Sequence, residues 1–327
     1  MSQILSVILN AEFGYSVLRV TTPILFATLG ALIADKAGVT NIALEGIMLI
    51  SALSGVVFSA LSGSAGVGLF AAVVAGGLVG LFLAYCALKL RTDIILSGIA
   101  INLMASGGTV FVLFLIAGDK GISSSLASKV LPKLNIPGIS SIPVLGTILS
   151  GHNVLTYVAF IMVAATFIFL YRTPLGLRIR AVGENPNAAA SVGIGVTKIQ
   201  YLALTLSGMM AGFGGAYMSM GYVSWFSKNM TAGRGFIALA AEAMGGATPI
   251  GSMLTSLLFG FFDALSNTLQ LMKIPSEFVN MIPYAATVIG LVVYASQKKR
   301  RERKTLESAG AASRAATAAE ATASGKE

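Results

Sequence analysis

Residues 171–200 read YRTPLGLRIRAVGENPNAAASVGIGVTKIQ, and they form the one long polar stretch between the apolar segments of this chain. The stretch predicts two short helices, because Thr173 and Asn185 suit N-cap positions and each is followed by proline at the first helical position. Gly183 and Gly193 are expected to end these helices in left-handed geometry. The second helix is only about two turns long, and a helix of that length is marginal in isolation. We therefore expect it to pack on another protein.

The composition around this stretch is that of a polytopic membrane protein. Of the 327 residues, 55% are hydrophobic and only 11% are charged, against about 25% charged in soluble globular domains. A single cysteine, Cys86, excludes a disulfide framework and a cysteine metal cluster, and the lone His152 excludes a histidine-rich metal site. The formal charge of +9 does not indicate nucleic-acid binding, because the basic residues lie at the ends of apolar segments and in the tail.

Several apolar segments are long enough to cross a bilayer, which takes about 20 residues. These candidate spans are residues 15–34, 40–61, 67–88, 94–116, 153–170, 198–221, 252–271 and 278–294. A shorter apolar piece, 235–246, runs into GGATPIG at 245–251 and is expected to be a broken or partial span, which membranes tolerate where the exposed backbone faces protein or a water-filled cavity. Residues 1–14 are interpreted as an interfacial segment. The sequence thus predicts an all-α polytopic fold with about nine to ten transmembrane helices, the tenth only if residues 1–14 also cross.

The distribution of basic residues predicts the orientation of these spans. With nine crossings and a cytoplasmic tail, 15 Lys and Arg residues lie on the cytoplasmic side, eight of them in the tail, and six lie on the other side. Arg19 is left out of this count because it can reach outward from the first span. The loop 117–152 is therefore expected outside as an ordered cap and the loop 171–200 inside. Residues 15–296 form the membrane domain, and residues 297–327 a basic and then disordered cytoplasmic tail.

A weak internal repeat suggests an inverted architecture. IAL at 42–44 with Glu45, Gly68 and RTD at 91–93 are echoed by IAL at 237–239 with Glu242, Gly251 and PSE at 275–277. The interval from Gly68 to Asp93 is 25 residues and that from Gly251 to Glu277 is 26. On the predicted topology the matched spans run in opposite directions, which is the arrangement that many transporters use to place a path at the repeat interface. The alternative is chance similarity among glycine-rich spans.

Polar side chains inside the predicted spans are candidates for lining a solute path, because such groups are costly in a membrane. They are Asn41, Glu45, Asn102, Glu242, Asp263 and Asn267. Asn41 and Glu45 are four residues apart on one helix face, as are Asp263 and Asn267. The alternative for Glu45 is that it reaches the cytoplasmic interface or bonds a neighbouring helix. For Glu242 and Asn102 the alternative is hydrogen bonding between helices. An unpaired Asp263 would be protonated or hydrogen-bonded.

Two stretches resemble a known family. RAVGENP at 180–186, with the alanine run after it and GIGV at 193–196, resembles the cytoplasmic loop of ABC importer permeases of the branched-chain amino acid, ribose and nucleoside class. NIALEG at 41–46 is similar to the second-helix signature of the subgroup that carries nucleosides or simple sugars. The resemblance covers residues 15–296 and implies a type II ABC importer-like fold, whose loop carries a coupling helix for a separate ATPase. The residues implied in that contact are Gly183, Glu184, Asn185, Pro186, Ala188, Ala189 and Gly193.

The resemblance also implies partners. These are ABC ATPase subunits, a second permease subunit that is either identical or related, and an extracytoplasmic substrate-binding protein, in the lipid bilayer of a bacterial cytoplasmic membrane. ATP is expected on the partner subunit and no cofactor on this chain, since the sequence has no P-loop. Enzyme activity is not expected, because no nucleophile–base pair or metal cluster is found.

The resemblance of residues 41–46 to that subgroup implies nucleosides as the preferred substrates, with simple sugars next. The alternative function is an ion-coupled secondary transporter of a small polar solute, with Asp263 or Glu242 as the coupling site. That alternative leaves the loop 171–200 unexplained.

Overall fold

The computed structural model describes residues 10–136 and 145–270, together with scattered positions between 281 and 296. The regular structure of these residues is helical apart from one pair of two-residue strands. In chain order the elements are α1 (Ala11–Asp35), α2 (Leu44–Ser62), α3 (Ala65–Ala84, continued by a π-helical turn, Tyr85–Lys89), α4 (Ile94–Ala117), β1 (Lys133–Leu134), α5 (Leu145–Leu149), β2 (His152–Asn153), α6 (Val154–Arg172), α7 (Pro174–Glu184), α8 (Pro186–Ser191), α9 (Val196–Tyr217, continued by a π-helical turn, Met218–Tyr222), α10 (Arg234–Met244) and α11 (Pro249–Gln270).

The long apolar helices lie close to the predicted spans. Within the described ranges, six helices are long and apolar enough to cross a membrane, namely α1, α2, α3, α4, α6 and α11. The candidate at 198–221 is the long but more polar helix α9, and the short piece at 235–246 is α10, which has 11 residues. Of the candidate at 278–294 only scattered helical positions are described. The count of about nine to ten crossings therefore stays a prediction, as does the inverted repeat, because residues 275–277 lie outside the described ranges.

The first helix begins earlier than the sequence indicated. The side chain of Asn10 accepts a hydrogen bond from the backbone N–H of Glu12 and caps α1, which begins at Ala11. An N-cap supplies an acceptor for the free N–H groups of the first turn, so it fixes where the helix starts. Residues 11–14 thus belong to the spanning helix rather than to a separate interfacial segment. Residues 1–9 lie outside the described part of the chain.

Helix α1 is the centre of the fold. It packs against α2, α6, α9, α10 and α11, and every residue from Val20 to Ala34 is buried. A helix that is apolar on all sides is suited to such a position. Its two ends are partly exposed and contact the loops on opposite sides of the helical bundle.

Glycines allow α9 to approach its neighbours closely. A Cβ atom added at Gly208 of α9 would clash with the carbonyl oxygen of Gly76 in α3, and one at Gly215 would clash with the carbonyl oxygen of Met48 in α2. Small residues at helix contacts let the backbones pack together where lipid gives no hydrophobic drive for association. Helix α9 is therefore held between α1, α2 and α3.

The loop 117–152 folds over one end of the bundle. In its described parts β1 pairs antiparallel with β2, with Lys133 opposite Asn153. The N–H of Leu131 donates to the carbonyl oxygen of Met220 at 2.9 Å, and the N–H of Ser123 donates to that of Phe226 at 3.0 Å. These bonds tie the loop to the residues that follow α9. The short helix α5 within this loop was not expected from its sequence.

Candidate functional site

Glu45, in the first turn of α2, binds the start of a different helix. Its Oε1 accepts hydrogen bonds from the hydroxyl of Thr231 at 2.6 Å and from the N–H of Gly233 at 2.8 Å, and its Oε2 accepts one from the N–H of Gly235 at 2.7 Å. These donors form the N-terminal turn of α10 (residues 231–235), and the first N–H groups of a helix have no partner within it. The carboxylate also lies at the positive end of the α10 dipole. Glu45 is therefore a cap that joins α2 to α10.

Gly235 makes this contact possible. A Cβ atom at this position would lie 2.6 Å from the Cα atom of Glu45 and would also clash with its backbone nitrogen. Any residue larger than glycine would thus push α10 away from α2. The absence of a side chain at Gly235 and the carboxylate of Glu45 together bring the two helices into contact.

Asn102 and Asn41 fix the other groups at the start of α2. Asn102, on α4, donates to the carbonyl oxygen of Ile42 at 2.9 Å and accepts from the N–H of Gly46 at 2.7 Å. Asn41 is fully buried and donates to the hydroxyl of Ser207, on α9, at 2.9 Å. Together with the Glu45 cap, these bonds tie the NIALEG stretch to α4, α9 and α10. Their geometry is that of hydrogen bonding between helices, the alternative already considered for Glu45 and Asn102.

Asp263 on α11 is paired with a cation. Its Oδ2 lies 2.9 Å from an Nη atom of Arg234, the first residue of α10, in the one salt bridge among the described residues. The two side chains are only 12% and 11% exposed, and a buried carboxylate is tolerated when a charge partner is bonded to it. The Arg234 side chain is thus held inside the helical bundle.

Glu242 and Asn267 do not join these contacts. Glu242 is buried in α10, with Asp35 and Lys36 at the end of α1 as its charged neighbours. Asn267 is exposed on α11, although it lies only four residues from Asp263. The structure therefore brings Glu45 and Asp263 to the same N-terminal turn of α10 and leaves Glu242 and Asn267 elsewhere. Sequence reasoning missed Arg234 and Gly235, although the run Gly233-Arg234-Gly235 before a short apolar segment indicates a helix start in need of acceptors.

The loop 171–200 contains the two predicted short helices. Thr173 accepts from the N–H of Gly176 at 3.1 Å and caps α7, while Asn185 accepts from the N–H of Ala188 at 3.0 Å and caps α8. The prediction of two capped helices is confirmed. Gly193, just after α8, has a left-handed φ of 82°, as expected for a residue that ends a helix.

Gly183 has a different role from the expected one. Helix α7 continues to Glu184, so Gly183 is helical and the prediction of left-handed geometry there is wrong. A Cβ atom at Gly183 would clash with the carbonyl oxygen of Lys36, at the end of α1. The missing side chain instead allows α7 to pack directly on the end of the central helix.

Helix α8 presents most of its surface to solvent. Glu184, Asn185, Pro186, Ala188 and Gly193 are exposed. Ala189 is only 4% exposed and packs into the main core. Val192 follows the helix with 75% of its surface exposed. Helix α8 is thus a short, rigidly anchored element with an exposed outer face.

The comparisons with known proteins agree with these features. The family model described as branched-chain amino acid transport system / permease component matches residues 15–296. The guanosine ABC transporter permease NupQ of Bacillus subtilis (strain 168) is 37% identical over 302 residues, which are 88% of this chain and 92% of NupQ.

Two further relatives align over most of this chain. The nucleoside ABC transporter permease NupC of Lactococcus lactis subsp. cremoris (strain MG1363) is 36% identical over 291 residues, which are 84% of this chain and 89% of NupC. A glucose ABC transporter permease of Haloferax volcanii is 26% identical over 288 residues, which are 84% of this chain and 75% of that protein. Such permeases are transporter subunits and are not themselves enzymes. The chain belongs to the permease family of the branched-chain amino acid transport system, as the loop 171–200 and NIALEG indicated.

Proposed function

We propose that this permease carries nucleosides across a bacterial cytoplasmic membrane and that ATPase subunits drive it by binding α8. The observation that supports this most is the form of α8, a capped helix anchored through Ala189 with an exposed outer face. A helix of six residues gains little from its own hydrogen bonds. Its rigid anchoring is therefore better explained by a movement that it transmits to the membrane domain than by a need to connect two spans.

Packing contacts connect α8 to the long helices of the membrane domain. Helix α8 packs on α7 and α9, and α7 rests on the end of α1 at Lys36 and Gly38. The Nε of Arg180, on α7, donates to the carbonyl oxygen of Leu170 at 3.0 Å and so also holds α7 to the end of α6. A displacement of α8 would thus reach three long helices without passing through a flexible linker.

The substrate proposal follows the named substrates of the relatives. NupQ and NupC are named for guanosine and nucleoside transport, and the Haloferax relative for glucose, so nucleosides come first and simple sugars second. ATP would be bound by the ATPase partners and not by this chain. A second permease subunit and an extracytoplasmic substrate-binding protein complete the proposed assembly.

The ion-coupled carrier is not favoured. It would use Asp263 or Glu242 as the coupling site, but Asp263 already has Arg234 as a salt-bridge partner. The relatives are ABC transporter permeases, and the carrier offers no use for the exposed face of α8.

A charge on α8 tests the proposal. Ala188→Arg places a large cation on the exposed face, whereas a charge at Ala189 would disrupt the core and test only folding. We expect Ala188→Arg to abolish nucleoside uptake and ATPase copurification while membrane insertion stays normal. Ala127→Arg is the matched control, because Ala127 is also exposed but lies in the loop at the other end of the bundle.

Uptake of a radiolabelled nucleoside by the assembled transporter is the primary measurement, with excess glucose or unlabelled nucleoside as competitor. Nucleoside uptake that excess glucose does not reduce supports the preferred substrate, whereas uptake of radiolabelled glucose without uptake of nucleoside supports sugars. Normal uptake by Ala188→Arg would contradict the proposed coupling through α8.

A further inference from the structure

A cavity of about 480 Å³ lies between the first turns of α1, the end of α9 and the loop 117–152. Its volume falls in the range of about 300–1,000 Å³ that is typical of small-molecule sites. None of the residues described above as candidates for a solute path lines it. The cavity is at the end of the bundle opposite to α8, the end predicted to face outward.

The lining of this cavity is cationic. Arg19 and Lys133 contribute two positive charges, and none of its described lining residues is acidic. The guanidinium of Arg19 lies 4.3 Å from the centre of the Tyr222 ring and donates one hydrogen bond to the Tyr222 carbonyl oxygen. A guanidinium carries five N–H donors, and the described residues engage one of them. Arg19 thus has donors left for a bound molecule.

Aromatic side chains supply the apolar part of the wall. Tyr15, Tyr222 and Trp225 line the cavity, and the Tyr15 ring stacks on His152 with the centroids 4.0 Å apart. Flat rings of this kind offer faces on which a planar heterocycle can stack.

One lining residue, Tyr217, is held from behind by buried hydroxyl groups. It is only 1% exposed, and its hydroxyl lies 3.4 Å from that of Thr156, which in turn lies 3.2 Å from that of Thr22. These three residues come from α9, α6 and α1, so the hydroxyl groups connect the cavity wall to three helices of the bundle. A ligand in the cavity would also lie beside Tyr15 and Arg19 of α1, the same central helix that α7 contacts at its other end.

We propose that this cavity binds the base of a nucleoside, and that Arg19 donates to an oxo group on that base. The inference rests on the proposed function and deepens it. The aromatic rings of the lining offer stacking faces to a base, which ribose, having no flat ring system, cannot use. Arginine pairs with the O6 and N7 acceptors of an oxo-purine, whereas adenine presents a donor at the 6-position. The site therefore prefers inosine to adenosine.

The chain carries its own reporter for this binding. Trp225 is the single tryptophan of the sequence, and it lines the cavity. Titration of the full chain in lipid nanodiscs with inosine is expected to quench its fluorescence, when excited at wavelengths that nucleosides do not absorb. We expect adenosine to bind roughly 5- to 150-fold more weakly, as the loss of one bidentate arginine contact implies.

Two lysines in the same loop give a matched pair of variants. Lys133→Gln removes a charge that lines the cavity and is expected to weaken inosine binding, whereas Lys129→Gln makes the same change at an exposed position outside it and is expected to have no effect. Arg19→Gln should remove the preference for inosine. Because it also removes the bond to Tyr222, the inosine–adenosine comparison on the unmodified chain is the primary test.

Three results would overturn the inference: no quenching by inosine, equal affinity for inosine and adenosine, or displacement of the signal by inorganic phosphate alone, which would indicate an anion site. Nucleoside uptake by the assembled transporter separates the two proposals. If uptake is normal and Trp225 does not respond, only the cavity assignment fails. If the assembled transporter takes up no nucleoside, the proposed function fails whatever Trp225 shows.

Discussion

Glu45 shows how a carboxylate inside a predicted span is used when its partners are backbone groups. Its oxygens accept three hydrogen bonds from residues 231–235, nearly 190 positions further along the chain. Sequence alone could identify Glu45 as costly in a membrane and in need of a partner. It could not identify the partner, because backbone N–H groups leave no trace in residue type. The same holds for Asn102, whose partners are the backbone of Ile42 and Gly46.

Substitution of Glu45 should separate the charge of the cap from its shape. We expect Glu45→Ala to lower the free energy of unfolding by several kcal/mol, because each unsatisfied buried donor costs about 1–3 kcal/mol. Glu45→Gln keeps acceptors for part of the network and should cost less. Thermal unfolding in detergent measures both variants. Equal losses for Ala and Gln would show that the carboxylate does not act as a cap.

The Arg234–Asp263 pair can be tested by removing one partner and then both. Asp263→Leu leaves a buried guanidinium unpaired and should cost about 3–5 kcal/mol, whereas Arg234→Met with Asp263→Leu should recover most of that stability. Urea unfolding of the single and double variants gives the coupling energy between the two positions. If the losses simply add, the ion pair does not stabilise the junction of α10 and α11.

His152 predicts a dependence of stability on pH. It is 1% exposed, and burial is the main cause that lowers its pKa from 6.5, with the charge of Arg19 acting in the same direction and the hydrogen bond to Ile148 opposing both. Since the folded chain then takes up the proton less readily than the unfolded chain, stability is present above pH 6.5 and is lost as the pH falls through the lowered pKa. Melting temperatures measured across this range should fall less steeply for His152→Gln. Parallel curves for the two proteins would exclude His152 as the cause.

At the scale of single elements, local signals were predictive and tertiary contacts were not. The starts of α7 and α8 follow from Thr173-Pro174 and Asn185-Pro186, because a cap and its proline act within one helical turn. Gly183 was misinterpreted because glycine serves equally at a helix end and at a close contact between backbones. Only the position of the α1 end, far away in sequence, decides between these uses.

Gly183→Ala tests the contact between α7 and α1. The added methyl group would meet the carbonyl oxygen of Lys36, so we expect α7 to move outward and nucleoside uptake to fall strongly while helix content is kept. Gly107→Ala is a suitable control, since nothing lies within 4 Å of the added atom and alanine favours a helix by about 1 kcal/mol. Uptake that is equal in both variants would show that this contact does not carry the coupling.

For the whole molecule, hydropathy predicted most spans and left the arrangement open. The six apolar helices agree with predicted segments because the bilayer requires long apolar helices of any sequence. Helix α9 is not among these six, although it is long and is enclosed by α1, α2 and α3. Which helices surround α1 depends on glycine contacts and buried hydrogen bonds, and these have no simple periodicity.

The predicted orientation can be tested by labelling with a membrane-impermeant thiol reagent. Cys86 is the single cysteine, so Cys86→Ser gives a background without thiols. On that background we expect Ala188→Cys to be labelled only from the cytoplasmic side and Ala127→Cys only from outside. Labelling of both positions from the same side would refute the topology and, with it, the proposed binding of ATPases to α8.

Helix α1 has 25 residues, so at 1.5 Å per residue it is a rod about 37 Å long. It is buried from Val20 to Ala34, α7 packs on its carboxyl end, and Tyr15 lies in its second turn beside the cavity. A rigid rod that tilts about its centre moves its two ends in opposite directions, so a tilt of about 10° would shift each end by roughly 3 Å. A tilt of α1 would therefore change the contact with α7 and the position of Tyr15 in one movement.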